Sequence, residues 1–311
     1  MHYSPVPLHI PDGFLSLIVS LICWAITAIT LSAAVSRTNR SLGEKQVPLM
    51  GVMAAFIFAA QMINFPVAGG TSGHLLGGAL AAITLGPWAG MLVMTAVIAV
   101  QALLFQDGGL LVMGANILNM GLVTAAIGYG LYRGVSGASR TAKLTVAGIA
   151  AWLSVMAGAL LTSLQLWLSG TSQLQVVIPA MLVTHALIGI GETLITVAAL
   201  AFILQTRPDL LDEKSPSARG SRGWVAAGIL ISLVVVLLSP FASANPDGLE
   251  RVAGDLGFLS TGQSAPFKII PDYAVPFLGS TPLSTILAGA IGVLVLIALV
   301  FIASRSLQKK A

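Results

Sequence analysis

The feature that most restricts this chain is a series of apolar runs with nearly all of its charge confined to the gaps between them. Eight runs are long enough for a bilayer crossing, which takes about 20 residues: 14–36, 46–63, 88–105, 110–132, 144–168, 177–205, 224–241 and 285–303. A ninth, 75–86, is shorter and ends at Gly86-Pro87, a pair that turns the chain before the next helix. Of the 311 residues 56% are hydrophobic and only 8% charged, against about a quarter in soluble domains. The expected fold is therefore all-α, a polytopic membrane bundle of about nine helices: a seven-helix core and a two-helix C-terminal module.

The basic residues set the topology. Arg37, Arg40 and Lys45 form one cluster, Arg133, Arg140 and Lys143 a second, Arg207, Lys214, Arg219 and Arg222 a third, and Arg305, Lys309 and Lys310 a fourth. If 75–86 crosses, all four lie on one side, which the positive-inside rule makes cytoplasmic. The N-terminus, the loop before His74 and the loop 243–282 then lie outside, and the C-terminus inside. The leader 1–13 has no Lys or Arg and contains Asp12, so the first run reads as a retained helix and not a signal peptide. The net charge of +4 is spent on these clusters, and no basic-aromatic patch remains for nucleic acid. The polar stretch 207–223 reads as a linker between a core, 1–206, and a tail module, 224–311.

Ten residues between two apolar runs, Gly69-Gly70-Thr71-Ser72-Gly73-His74-Leu75-Leu76-Gly77-Gly78, combine five glycines, two hydroxyls and a histidine. Irregular backbone at membrane depth must be enclosed by protein or line a watery cavity, so His74 faces an enclosed site. A phosphate cradle would require Lys after the last glycine, where Ala79 stands. The alternative reading is helix packing through small-xxx-small pairs, Gly69/Gly73 and Gly73/Gly77.

A second histidine stands in Leu8-His9-Ile10-Pro11-Asp12-Gly13, on the same membrane face. A histidine at the second position of a chain chelates metal through the terminal amine, its own amide nitrogen and its ring Nδ1. With translation starting at Leu8, read as Met, His9 is such a residue, and His74 supplies a fourth nitrogen to close a square plane. Square-planar nitrogen sites suit nickel(II) or copper(II). Met1-His2 offers the same chelate, but on a stretch without the turn that Pro11, Asp12 and Gly13 give His9. Two further ionisable groups, His185 and Glu192, share one face of the 177–205 run and are either structural partners of the loop or supports that orient His74. Asn64, Thr71 and Ser72 belong to the same expected supporting shell, with Asn116, Asn119, Gln101 and Gln106 as further amides needing partners. The methionines Met50, Met53, Met62, Met91, Met94 and Met120 share no face and read as packing residues, and Cys23 as a small apolar one.

Four runs taken together, His9-Ile10-Pro11-Asp12-Gly13, Asn64-Phe65-Pro66-Val67 with the glycine-rich loop, Leu104-Phe105-Gln106-Asp107-Gly108-Gly109 with Gly114-Ala115-Asn116 and Asn119-Met120, and His185-Ala186-Leu187-Ile188-Gly189-Ile190-Gly191-Glu192, closely resemble the CbiM/NikM family, the substrate-binding component of energy-coupling-factor transporters for cobalt and nickel. The resemblance spans roughly residues 8–206. It implies that the ion is held by the terminal amine at Leu8, the amide and imidazole of His9, and His74. The tail, with Asn245-Pro246-Asp247-Gly248-Leu249-Glu250 and Pro271-Asp272-Tyr273, resembles the small accessory subunit of these transporters, fused here to the C-terminus and expected to press on the binding face. Asp247, Glu250, Asp255 and Asp272 are either cation attractors or ordinary loop acids.

The resemblance implies ATP-driven nickel or cobalt uptake across a bacterial inner membrane, with the metal as cargo and no organic cofactor. No Walker motif occurs in the chain, so the expected partners are a membrane-embedded coupling subunit and two ATPase subunits. A self-sufficient carrier or channel would carry more acids in its spans than Glu192. A metalloenzyme needs an open coordination position and a general base, which a filled square of nitrogens does not leave.

Overall fold

The computed structural model describes residues 9–41, 46–135, 137–211 and 223–308. Leu8, Met1 and His2 lie outside the described residues, as does most of the polar linker. The chain is helical almost throughout. Among the described residues six helices are long and apolar enough to cross a membrane: Leu17–Arg40, Pro87–Phe105, Arg140–Leu168, Leu174–Thr206, Gly223–Phe241 and Pro282–Ala303. The large apolar side chains exposed on them, among them Ile18, Ile29, Val183, Leu194 and Leu230, are placed to meet lipid.

In order, the helices are α1 (Leu17–Ser41), α2 (Gln46–Gln61), α3 (Gly78–Leu85), α4 (Pro87–Val100), α5 (Met113–Asn116), α6 (Thr124–Tyr132), α7 (Arg140–Leu168), α8 (Leu174–Thr206), α9 (Gly223–Leu237), α10 (Gly248–Leu256) and α11 (Pro282–Gln308). Helices α7 and α8 pack along one another, and α9 and α11 of the tail both lie against α2, so the C-terminal helices are part of one bundle with the rest. Two Arg–Trp stacks, Arg37 on Trp88 and Arg207 on Trp224, join the ends of neighbouring segments.

Four local features depart from the sequence reading. The first helix begins at Leu17 and not at Phe14, because Phe14 is fully buried against Phe258 of the tail, with ring centroids 5.1 Å apart. The helical part of 75–86 is α3, only eight residues, or about 12 Å of rise. It is enclosed by protein: a Cβ on Gly78 would lie 2.6 Å from the Met120 carbonyl, and one on Gly128 2.7 Å from the Ala79 methyl.

The stretch expected to be an irregular loop holds an antiparallel hairpin, β1 (Phe65–Val67) with β2 (Thr71–Gly73), pairing Phe65 with Gly73 and Val67 with Thr71. Its turn uses Gly69 and Gly70 at φ 82° and 70°, conformations that a side chain would disfavour. The run 110–132 is α5, a π-helical stretch Ile117–Val123, then α6; α4 likewise runs into a π stretch, Gln101–Phe105. Such π turns re-aim side chains and occur most often at functional sites. Here they place Asn116, Asn119 and Met120 on one cavity wall and release the chain into the loop that carries Asp107.

Candidate metal centre

His9 is placed by a clamp on the residue after it. The Ile10 amide donates to Asn116 Oδ1 at 3.1 Å, Asn116 Nδ2 donates to the Ile10 carbonyl at 3.0 Å, and the Gly109 amide donates to that carbonyl at 2.9 Å. Asp12 anchors the same segment, its carboxylate accepting from the amides of Leu110, Leu111 and Val112 at 2.9–3.2 Å. Three backbone N–H groups that lead into α5 are thereby satisfied by one side chain.

His74 is placed by the loop between β2 and α3. Glu192 of α8 accepts the Leu76 amide at 2.6 Å and the Gly77 amide at 2.9 Å, while Gln61 of α2 donates to the Leu76 carbonyl at 2.8 Å. Glu192 thus binds the backbone of the loop itself. Charge-assisted pairs of this kind are among the stronger hydrogen bonds.

The two imidazoles meet edge to face with centroids 5.5 Å apart, on a cavity of about 70 Å³. Its wall also includes Asn119, Met120, Met181, His185, Ile188, Asp247 and Gly248. Nδ1 of His9 lies 3.2 Å from the Asp107 carbonyl, Nδ1 of His74 3.0 Å from the Leu75 carbonyl, and Nδ1 of His185 2.8 Å from the Met181 carbonyl. A carbonyl only accepts, so each Nδ1 carries the proton and the lone pair of the neutral ring is on Nε2. Histidines that bind metal are held in this way, by donation from the other ring nitrogen. Nε2 of His9 is buried without a partner.

The chelate expected from the sequence uses Nδ1 of His9. In the structure that nitrogen is committed to Asp107, because the Asn116 clamp sets the ring against the 106–109 loop. Burial lowers the His9 pKa, with the nearby Asp107 carboxylate opposing, so the 3.5 Å contact between ring and carboxylate joins a neutral imidazole to Asp107. Among the described residues no three His, Cys, Asp or Glu side chains already form a metal-holding cluster.

The supporting residues divide. His185 reaches the cavity; Glu192 stands behind the loop. Ser72 holds the tail, its amide donating to the Pro246 carbonyl at 2.8 Å and its hydroxyl to the Asn245 carbonyl at 2.8 Å. Asn64 also meets the tail, its carbonyl accepting the Ser243 amide at 2.7 Å. Thr71 is buried in β2 and, like Asn64, lies away from the cavity wall. Asn119 is tied to Gln165 by two reciprocal bonds of 2.8 Å. The named methionines are all buried in the core, and Met120 alone of them reaches the cavity.

Sequence reasoning gave no role to Asp107 or Tyr273, though both stand in the runs that carry the resemblance, and did not single out Gln61. Tyr273 of the tail donates to Asp107 Oδ2 at 2.5 Å and accepts from Gln101 at 3.2 Å. Its position after Pro271-Asp272 in the tail was the available signal, but its partner is 166 residues away.

A multi-span membrane bundle with a small cavity bordered by three histidines, walled partly by the protein's own C-terminal segment, defines the class. Residues 9–210 match the family model described as the cobalt uptake substrate-specific transmembrane region, CbiM, and residues 222–309 match the PDGLE domain. A protein of Archaeoglobus fulgidus provisionally named as a fused nickel transport protein, NikMN, is 35% identical over 303 residues, covering 96% of this chain and 98% of its own. The fused nickel transport protein NikMN of Rhodobacter capsulatus is 29% identical, with 98% and 100% covered. The cobalt transport protein CbiM of Sorangium cellulosum is 34% identical over 66% of this chain and 95% of its own. A crystal structure of a transition metal transporter superposes with a TM-score of 0.59 at 34% identity, covering 68% of this chain and all of that one. The chain belongs to the CbiM family, with a PDGLE domain following in the same polypeptide.

Proposed function

We propose that this protein is the substrate-specific membrane component of an ATP-driven nickel or cobalt uptake system. It captures the ion on the extracytoplasmic side between the imidazoles of His9 and His74. One observation carries the reading: two histidines 65 positions apart meet on one cavity, each with Nδ1 donated to a carbonyl. Imidazole donors suit a late first-row divalent ion over calcium or magnesium. A terminal amine at position 8 and the His9 amide, deprotonated with release of their protons to solvent, add the remaining nitrogens. Recruiting Nδ1 of His9 to that chelate takes a half-turn of its ring away from Asp107.

The division into a metal-binding core, 1–206, a cytoplasmic linker, 207–223, and a two-helix accessory module, 224–311, is part of this reading. So are a membrane-embedded coupling subunit and two ATPase subunits that drive release. Commitment of Glu192 to two loop amides disfavours a self-sufficient carrier, since no uncommitted span acid is then at hand to move with the ion. The nickel relatives of fused architecture favour nickel as cargo.

Titration of the purified protein with nickel(II) and cobalt(II) tests the site. His74→Ala is expected to abolish tight binding of both ions without loss of membrane insertion, and unchanged affinity would falsify it. Uptake by cells with and without the ATPase subunits separates a pump component from an independent carrier.

A further inference from the structure

We infer that Asp247 is the oxygen ligand that takes the incoming ion first and passes it to the imidazoles of His9 and His74. The inference rests on the proposed metal site and extends it to the C-terminal segment.

Asp247 is fixed against the His74 loop by its neighbours in sequence. Ser72, two residues before His74, binds the carbonyls of Asn245 and Pro246 through its hydroxyl and amide, so the chain entering Asp247 is in register with β2. The Asp247 side chain is 3% exposed and caps α10, Oδ1 accepting the Glu250 amide at 2.7 Å. Gly248 presses on the next wall: a Cβ there would lie 2.9 Å from Cε1 of His185. Among the described residues that line the cavity Asp247 is the only carboxylate, and it shares that wall with His9, whose Nε2 is buried without a partner.

The chemistry follows from the donors present and from charge. Binding to imidazoles and a carboxylate replaces waters of the ion's shell with protein ligands. A divalent charge brought out of water needs a compensating anion close by, and Asp247 is the carboxylate placed to supply it. Oxygen is the donor nearest in kind to the water being displaced. Carboxylate and imidazoles act in succession. A water leaves as Asp247 binds, and the carboxylate leaves as imidazole nitrogen binds. Each exchange is ligand for ligand: burial raises the Asp247 pKa to about 7, so a proton carried there goes to solvent as the ion binds, and no electron moves.

The test is stopped-flow mixing of the purified full chain with nickel(II) chloride, read by the ligand-field absorption of the nitrogen-bound ion. Asp247→Asn keeps the helix cap, since Asn is as good there as Asp. It is expected to slow association at least tenfold and leave the final spectrum unchanged. Asp247→Ser, a second uncharged cap, is expected to do the same, so a folding defect peculiar to one variant does not decide the matter. Glu250→Gln removes a charge from the same turn but off the cavity wall and should leave the rate unaltered. Wild-type association in both Asp247 variants, with the absorption still lost in His74→Ala, overturns the role of Asp247 and leaves the metal site standing. Equal slowing by Glu250→Gln also overturns it, by assigning the effect to a diffuse field. Absorption retained in His74→Ala overturns the metal site itself.

Discussion

The hydroxyl of Tyr273 donates to Oδ2 of Asp107 at 2.5 Å, and the carbonyl of Asp107 in turn receives Nδ1–H of His9 at 3.2 Å. A residue of the C-terminal segment thereby reaches His9 through one intermediate. Tyr273 is stacked on Phe105 at 4.7 Å, so the phenol is held on both its face and its hydroxyl. Removing the donor leaves a buried carboxylate oxygen short of a partner, a loss of about 1–3 kcal/mol. Tyr273→Phe is expected to lower thermal stability accordingly and to weaken nickel binding about tenfold, the usual scale for partners behind a ligand. Calorimetric titration beside a melting curve checks both.

The same contact predicts an alkaline limit. Burial first, and then the Asp107 carboxylate, hold the Tyr273 phenol well above its ordinary value of 10.0, and Asp272 adds to the effect. The folded protein keeps this proton more tightly than the unfolded chain does. The group's stabilising contribution is therefore complete below about pH 10 and is lost as pH rises from there toward the folded-state value. Melting curves from about pH 9 to about pH 11 should fall more steeply for wild type than for Tyr273→Phe, which has no proton to lose. Parallel curves would refute the assignment.

Glu192 gives a prediction that separates loop geometry from charge. Glu192→Gln keeps the volume but turns one acceptor into a donor facing either the Leu76 or the Gly77 amide. A buried N–H then loses its partner, at about 2–3 kcal/mol. The expected outcome is a lower melting temperature together with a His74 that binds metal less tightly, because α3 and its loop are no longer pinned to α8. Amide hydrogen exchange at Leu76 and Gly77 should rise in the variant, and protection equal to wild type would count against this account.

Gly78 offers a packing test that alters no charge. A methyl there meets the Met120 carbonyl at 2.6 Å and the Thr124 hydroxyl still closer. Neither is the far end of a flexible side chain, so the π stretch must shift. Gly78→Ala is expected to cost about 1–3 kcal/mol, and to disturb the wall that Asn119 and Met120 give the cavity. Reduced stability with intact insertion, measured in detergent, is the expected result.

Apolar runs and clustered charge were enough to read a polytopic all-α membrane protein, since a bilayer leaves few ways to satisfy a backbone. The glycine-rich loop and the HIPDG run were enough to single out His74 and His9, because local spacing and residue chemistry carry that signal. Tertiary structure alone decided the rest. Hydrogen bonds over 98 residues between His9 and Asp107, 115 between Glu192 and Gly77, and 166 between Tyr273 and Asp107 have no local signature. The π stretch that carries Asn119 and Met120, and the commitment of Nδ1 in His9, arise from packing between elements. Spacing along the chain fixes which residues share a face; which nitrogen of an imidazole is free depends on what a distant segment presses against it.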